Sequence, residues 1–145
     1  MTSPAELETS ERYLGIARRW FTEGWTGSLA MADDIFSEDL RNNGVHVGVA
    51  GPVGRIRERL AGFPDLTTDI QDLFVSGDKL AISLVWSGTH TGTYGGVAAT
   101  GKHVEVRDNA IWHFRDGKVV EIFTLQDQFG MLKQIGYLPD SVRAA

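Results

Sequence analysis

The side chain best suited to chemistry in this sequence is the carboxylate of Asp108, on a predicted strand that also carries Ala110 and Trp112. Residues two apart on a strand share a face, so this carboxylate would lie on an apolar wall. Burial raises the pKa of a carboxyl group, and a raised pKa suits a general acid or base. A structural role is equally open, in which Asp108 pairs with an arginine or with the amides of Asn42 and Asn43 and holds its strand in place.

The face that carries Asp108 follows from the hairpin predicted at Arg115-Asp116-Gly117. We expect a three-residue loop, a type I turn completed by a left-handed glycine, which pairs Phe114 with Lys118 and Asp108 with Thr124. One face then carries Asp108, Ala110, Trp112, Val120, Ile122 and Thr124. The other carries Arg107, Asn109, Ile111, Glu121, Phe123 and Leu125. A two-residue turn would shift the pairing by one residue and change these partners.

Aromatic side chains are abundant, and they supply the flat surface that a planar ligand would contact. The relevant residues are Trp20, Phe21, Trp25, Trp86, Tyr94, Trp112 and Phe114. We expect most of them in the core and some beside a ligand in an apolar pocket.

Several other chemistries find no support in the residue pattern. The four histidines, at positions 46, 90, 103 and 113, show no metal-binding spacing, and there is no nucleophile elbow, Walker loop or dinucleotide-binding glycine pattern. The sequence has no cysteine, which excludes thiolate sites and thiol nucleophiles. Its 145 residues carry a net charge of −5, so no basic footprint for nucleic acid is present.

The acidic start of the chain is unlike a signal peptide, and no apolar stretch approaches the length of a membrane span. We therefore expect one cytoplasmic domain, residues 1–145, that does not bind nucleic acid or membranes.

The elements that must position these residues change in type halfway along the chain. Helical patterns begin at Ser3-Pro4 and at Gly51-Pro52, the latter with an inward stripe of Val53, Ile56 and Leu60, and a short helix is expected at residues 28–36. The polar stretch at residues 41–44 is expected to turn the chain. Strand-like runs then cover residues 66–75, 79–94, 102–114 and 118–126, and a brief helix covers 129–135. Short glycine-containing connections favour antiparallel neighbours, so the order predicts an α+β domain with helices on one face of a bent sheet.

The run at residues 80–86 is apolar at nearly every position, which is typical of a strand buried on both faces. Because the helices cover one face, we expect a second copy of the chain to cover the other, in a homo-oligomer that is a dimer or tetramer. The alternative is an isolated apolar patch.

Four segments of the C-terminal half resemble the SnoaL-like polyketide cyclases of the nuclear-transport-factor-2-like superfamily. They are GTHTG at 88–92, ATGK at 99–102, FRDGKV at 114–119 and QFGMLKQIG at 128–136. The resemblance runs without a gap from about residue 81 to residue 136, and before it only residues 36–40, Asn42 and Gly51-Pro52 agree. It implies an α+β barrel with N-terminal helices packed on a curved, mainly antiparallel sheet.

The resemblance also draws attention to four positions, of which Asn42, Asp108 and Thr124 are the candidate catalytic residues. In the anthracycline cyclases of the family, an aspartate that acts as acid and base occupies the position of Thr124, and a supporting histidine occupies that of Ala110. Asp108 stands where the family has a polar residue, and Asn42 matches an asparagine near the substrate. A threonine hydroxyl is no base near neutral pH. Some members are assigned to the hydroxylation of anthracycline rings, and an acid retained at Asp108 fits these members better.

We therefore expect an enzyme that hydroxylates an aromatic polyketide with dioxygen and without a cofactor or metal. A deprotonated quinol or phenolate can itself reduce dioxygen, so the protein needs to take a proton, exclude water and hold the ring. Asp108 would move the proton and Asn42 would bind a substrate oxygen. The residues expected to contact the ring are Trp20, Trp86, His90 and Trp112.

Several alternatives remain open. One is an aldol cyclase in which Asp108 or Asp127 replaces the missing aspartate, and another is a binding module without catalysis. An epoxide hydrolase is disfavoured, because Arg107 and Asp108 point to opposite faces and Arg107 is expected to be a surface charge. A separate reductase that supplies reduced substrate is also left open.

Overall fold

The computed structural model describes residues 1–139 and 141–142. Its helical elements are α1 (Pro4–Arg19), a π-helical turn (Trp20–Gly24), a 3₁₀ turn (Leu29–Met31), α2 (Ala32–Ile35), α3 (Ala50–Gly62) and α4 (Gln128–Gln134). Its strands are β1 (Phe36–Asn42), β2 (Val45–His46), β3 (Thr67–Ser76), β4 (Lys79–Thr89), β5 (His103–Arg115) and β6 (Lys118–Gln126). None of the helices in the described part of the chain combines the length and apolar character that crossing a membrane requires.

The strands form one open sheet in the order β2-β1-β6-β5-β4-β3, with the four α-helices packed on it. In the described residues β1 and β6 run parallel, and every other neighbouring pair is antiparallel. The predicted α+β architecture, with a mainly antiparallel sheet, is confirmed.

Helix α1 begins at the predicted cap and brings aromatic residues onto the sheet. Ser3 Oγ accepts the Glu6 N–H at 3.2 Å, and the Glu6 carboxylate accepts the Ser3 N–H at 3.0 Å, which is a capping box. Further along the helix, the Tyr13 ring stacks on Phe114 of β5 with 3.7 Å between centroids. We call this helix-covered side of the sheet the inner face and the opposite side the outer face.

Strands β1 and β2 were not predicted from the sequence. The expected helix ended at Phe36 and the expected turn covered residues 41–44, whereas Phe36 begins β1 and the turn consists of Asn43 and Gly44, both with positive φ. Strand β1 buries Phe36 and Leu40 but leaves Glu38, midway between them, exposed, because the register of β1 with β6 shifts between Phe36 and Arg41. Alternating burial, the usual sign of a strand, is therefore absent from this segment.

Strand β4 ends at Thr89. The sequence pattern had predicted a longer strand that ends at Tyr94. Beyond Thr89 the chain leaves the sheet, because the N–H groups of Thr91 and Gly92 both bond to the Gly62 carbonyl at the end of α3. A Cβ at Gly92 would lie 1.9 Å from the Ala61 carbonyl oxygen, so this close approach requires glycine.

The predicted register of the β5–β6 hairpin is wrong, but the predicted faces are right except at Val120. The turn has two residues, Asp116 and Gly117, both in the left-handed region, so Arg115 pairs with Lys118. A bulge then adds one further residue to β6, which makes Ala110 the partner of Thr124.

The turn and the bulge each shift the register by one residue, and a total shift of two restores the alternation of faces. Asp108, Trp112 and Ile122 are accordingly buried on the inner face, as expected. Val120, which was expected beside them, is displaced by the bulge, and Val119 is buried in its place.

Strand β4 alternates in burial instead of being buried on both faces within one chain. Its inner side chains are fully buried: Leu80, Ile82, Leu84 and Trp86. Its outer side chains, including Ala81 and Val85, are half-buried.

Candidate active site

A small cavity lies between the π-helical turn, the first turns of α3 and the inner face of β1, β6 and β5. Its volume is about 40 Å³. The apolar lining residues are Trp20, Phe21, Trp25, Phe36, Pro52, Ile56, Ala110, Trp112 and Ile122. The polar lining residues are Asn42, Arg55, Asp108 and Thr124. The structure thus brings together the three expected catalytic candidates, Asn42, Asp108 and Thr124.

The aromatic rings occupy most of the space in which a ligand would lie. Pockets for small molecules usually measure about 300–1,000 Å³, whereas 40 Å³ holds only a few water molecules. Phe21 and Trp112 pack at 5.0 Å between ring centroids, and Trp20 meets Phe36 at the same separation. The cavity as it stands is therefore too small to hold a polycyclic ligand.

Asp108 is a buried carboxylate on the wall of this cavity, with 5% of its surface exposed. The Thr124 hydroxyl donates a hydrogen bond to its Oδ1 at 3.1 Å, and Nη2 of Arg59 lies 3.7 Å from its Oδ2. Burial raises the pKa of Asp108 above its ordinary value, while the positive charge of Arg59 and the bond from Thr124 oppose that rise. The carboxyl group can therefore exchange a proton at a higher pH than an exposed aspartate.

The side chain of Asn43 holds the backbone of Thr124 in place. The Thr124 backbone N–H bonds to the Asn43 side-chain oxygen at 3.0 Å, and the Thr124 carbonyl accepts the Asn43 side-chain N–H at 3.1 Å. This bond pair fixes β6 beside the end of β1. The role of Asn43 in holding β6 was not predicted from the sequence.

Asn42 ends β1 next to Ile122 and contributes an amide to the cavity wall. Its Oδ1 is buried and has no hydrogen-bond partner among the described residues. An amide in this position can bond to a polar group of a ligand.

Arg59 is the main residue that the sequence analysis missed. It projects from α3 with 2% exposure, and its Nη2 donates to Gln126 Oε1 at 3.1 Å. Its guanidinium carbon lies 4.3 Å from the ring centre of Trp25 and 5.2 Å from that of Trp86. Burial lowers the pKa of Arg59, and Tyr94 and Asp108 oppose that change.

The burial pattern of α3 explains the omission. The expected inward stripe is correct at Ile56, but Val53 and Leu60 are only half-buried. The buried side instead runs through Pro52, Ile56 and Arg59, at helical spacing i, i+4 and i+7. Arg59 stands at the third position of this series, and this spacing is the feature of the sequence that indicates a buried arginine.

Two of the expected ring-contact residues do not reach the cavity. Trp86 has no exposed surface and packs against Phe63 and Arg59, because β4 lies outside the strands that border the cavity. His90 is also fully buried, with its Nδ1 3.0 Å from the Thr100 hydroxyl and its ring stacked on Phe63. Trp20 and Trp112 do line the cavity.

Arg107 and Asp127 lie outside the cavity. Arg107 is on the outer face, where it donates to Ser83 and Gln71. Asp127 caps α4 by accepting the Gly130 N–H at 2.9 Å. Within the described part of the chain, no three His, Asp or Glu side chains are close enough together to hold a metal ion.

The open mixed sheet with helices on one face defines an α+β protein of the nuclear-transport-factor-2-like type. The family model for SnoaL-like polyketide cyclases matches residues 15–135, and the chain belongs to that family. No curated protein matches the chain significantly.

Solved structures of related proteins cover nearly the whole fold. AclR, a proposed hydroxylase from Streptomyces galilaeus, is 26% identical with a TM-score of 0.76, over 95% of this chain and 87% of that one. IdmH, a proposed polyketide cyclase from Streptomyces antibioticus, is 27% identical with a TM-score of 0.73, over 84% and 96%. A proposed SnoaL-like cyclase from Jannaschia sp. CCS1 has a TM-score of 0.81 over 94% and 97%, and at 23% identity it shows the fold.

Proposed function

We propose that the protein hydroxylates an anthracycline-type aromatic polyketide with dioxygen, and that Asp108 takes the proton whose removal starts the reaction. The observation that carries this proposal is a buried carboxylate on an aromatic cavity wall, hydrogen-bonded to Thr124. With threonine at position 124, the cavity lining of the described residues contains one carboxylate. This composition suits a reaction that needs one proton acceptor better than an epoxide hydrolysis that needs two acids.

The reaction balances for a substrate in its quinol form. Asp108 accepts a proton, and the resulting electron-rich ring carbon attacks dioxygen to form a carbon–oxygen bond. Asp108 returns its proton to the resulting peroxide, and loss of water from the hydroperoxide then leaves a hydroxyquinone. One quinol and one dioxygen give one hydroxyquinone and one water, and the substrate supplies all four electrons. Asn42 would bond to a substrate oxygen, while Trp20 and Trp112 flank the ring.

Binding of the substrate requires this cavity to widen, since a polycyclic ring system is much larger than 40 Å³. Trp25 and the adjoining π-helical turn, Trp20–Gly24, form one wall of the cavity. Such π-helical turns are frequent at functional sites. We assign the opening movement to this segment.

The test is the fate of dioxygen. Incubating the protein with a reduced anthracycline-type polyketide under ¹⁸O₂ should place one labelled atom in the product, and argon should stop turnover. Product formation under argon at the aerobic rate would overturn the proposal.

The second candidate is an aldol cyclase, which the cyclase neighbour IdmH favours at an identity similar to that of AclR. Asp108 would then be the base, since Asp127 serves as a helix cap. Ring closure in anaerobic buffer, without a change in oxygen content, identifies this reaction. A non-catalytic binding module would bind the polyketide without converting it in either atmosphere.

We also propose that the protein works as a homo-oligomer joined through the outer face of the sheet. Exposed apolar side chains cluster there, at Phe74, Ile111, Phe123 and Leu125. Asp72 and Arg107 lie on the same face, so two copies related by a twofold axis can pair opposite charges around an apolar centre.

A further inference from the structure

We propose that Arg59 is a positioning residue that favours the ionised form of Asp108 and so allows this carboxyl group to act as a base. For its effect on catalysis, this inference rests on the proposed function, in which Asp108 accepts the substrate proton. The effect on the charge of Asp108 itself follows from the geometry alone.

The two charged groups lie together inside the protein. Arg59 Nη2 is 3.7 Å from Asp108 Oδ2, and their side chains are 2% and 7% exposed. At that burial, solvent screens the interaction far less than it screens a surface pair. The distance exceeds that of a hydrogen bond, so the arginine acts chiefly through its charge.

Stacking and hydrogen bonding hold the guanidinium in place. Trp25 and Trp86 present their ring faces to it, and Gln126 accepts a hydrogen bond from the same Nη2 that faces Asp108. Arginine stays charged over the whole physiological range and stacks well on aromatic rings, so this position provides a fixed positive charge. In an apolar pocket without that charge, an aspartate would take up a proton far more readily.

The other groups around Asp108 contribute less to its charge. The polar side chains that face it from the packed elements are Arg55 and Arg59 of α3, Thr124 and Gln126 of β6, and Asn42 of β1. The residue paired with Asp108 on β4 is the apolar Leu84. Arg55 is exposed, so its charge is screened, and Thr124 donates one neutral hydrogen bond. Arg59 is therefore the dominant support for the ionised form.

The experiment is a ¹³C NMR titration of the Asp108 carboxyl in wild type and in Arg59→Met. We expect the apparent pKa of Asp108 to rise by at least about one unit in this variant. Arg57→Met is the matched control, because Arg57 is exposed on the same helix and lines no part of the cavity. In that control the titration should stay within about 0.3 units of wild type.

Two further variants keep the test decisive. Arg59→Gln is neutral but polar, so it should raise the pKa of Asp108 even where Arg59→Met fails to fold. Arg59→Lys retains the charge and should restore most of the wild-type titration. An unchanged or lowered pKa in folded Arg59→Met or Arg59→Gln overturns the inference.

Rate measurements separate this inference from the proposed function. In Arg59→Gln the acid limb of the kcat/KM profile should move to higher pH by the shift seen in the titration, with activity recovering as pH rises. If the titration shifts as expected but wild type converts no polyketide, the charge relation stands and the proposed function fails. If turnover depends on Asp108 but neither titration nor profile shifts, the proposed function stands and the inference fails.

Discussion

At the scale of single residues, Asp108 experiences two opposing influences. Removal from water favours the neutral acid, and the cation of Arg59 with the hydroxyl of Thr124 favours the carboxylate. Burial has the larger effect, so the pKa of Asp108 is raised. A carboxylate with a raised pKa is a stronger base than an exposed aspartate, so it accepts a proton from a substrate more readily.

The direction of this shift predicts the pH dependence of the reaction. Asp108 must be ionised to accept a proton, so kcat/KM should fall as pH drops through its raised pKa. The midpoint of this acid limb should lie above the ordinary aspartate pKa of about 3.9. A pH–rate profile measured under conditions in which the protein stays folded tests this, and an acid limb at or below the ordinary value contradicts it.

The position of Asp108 could be predicted from the sequence, but its partner could not. Residues two apart on β5 share a face whatever the pairing register, so Ala110 and Trp112 were enough to place the carboxylate on the inner face. Arg59 lies 49 positions earlier in the sequence and meets Asp108 only when α3 packs over the sheet. An arginine partner for Asp108 was one of the predicted alternatives, but the sequence did not indicate which arginine.

At the scale of elements, the π-helical turn at the end of α1 connects the stability of the fold to the shape of the cavity. Trp20 and Trp25 enter the cavity wall from this turn and from its end. Gly24 lies against the Trp20 ring, where an added Cβ would come within 2.5 Å of Cε3. The glycine thus sets the position of the indole.

We predict that Gly24→Ala destabilises the protein by about 1–3 kcal/mol, because the new methyl group overpacks the ring of Trp20. Gly15→Ala is the matched control, since no atom lies within 4 Å of a Cβ there and the residue is inside α1. That control should stabilise the protein by about 0.5–1 kcal/mol. Urea unfolding of both variants measures the difference, and equal stability of the two would contradict the account.

The strands show which element bounds can be predicted from neighbouring residues in the sequence. The bounds of β6 were predicted to the residue, because a clear turn precedes it and a helix cap follows it. The end of β4 was not predicted, because contacts with the end of α3 determine it. Strand β1 was not predicted at all, because its burial depends on a register shift against β6. These contacts join segments that are far apart in the sequence.

At the scale of the whole molecule, the outer face of the sheet is the surface that the fold leaves uncovered. Leu125 is 81% exposed and Phe123 42% exposed. Exposed apolar clusters of this kind mark interaction surfaces in soluble proteins. From the sequence, the continuous apolar run of β4 had already predicted that a second copy covers this face. In the structure the outer side chains of β4 are only half-buried within one chain, which agrees with that prediction.

We predict that wild type sediments as a dimer or tetramer at micromolar concentration and that Phe123→Lys shifts it towards monomer. Burying a lysine charge at the centre of the interface opposes association. Tyr137→Lys is the control, because Tyr137 is also exposed but lies beyond α4, away from the sheet strands. Analytical ultracentrifugation decides the matter, and a wild-type protein that remains monomeric would contradict the oligomer.

The most direct test of the account is the rate at which Asp108→Asn converts a reduced anthracycline-type polyketide in air-saturated buffer. Asparagine keeps the size of the side chain but cannot accept the proton. We predict a loss of at least about 10²-fold in kcat, with substrate binding, followed by tryptophan fluorescence, little changed. Asp127→Asn, which alters a helix cap, should stay close to the wild-type rate per folded molecule. An Asp108→Asn protein that turns over at the wild-type rate would contradict the assignment of Asp108 as the proton acceptor.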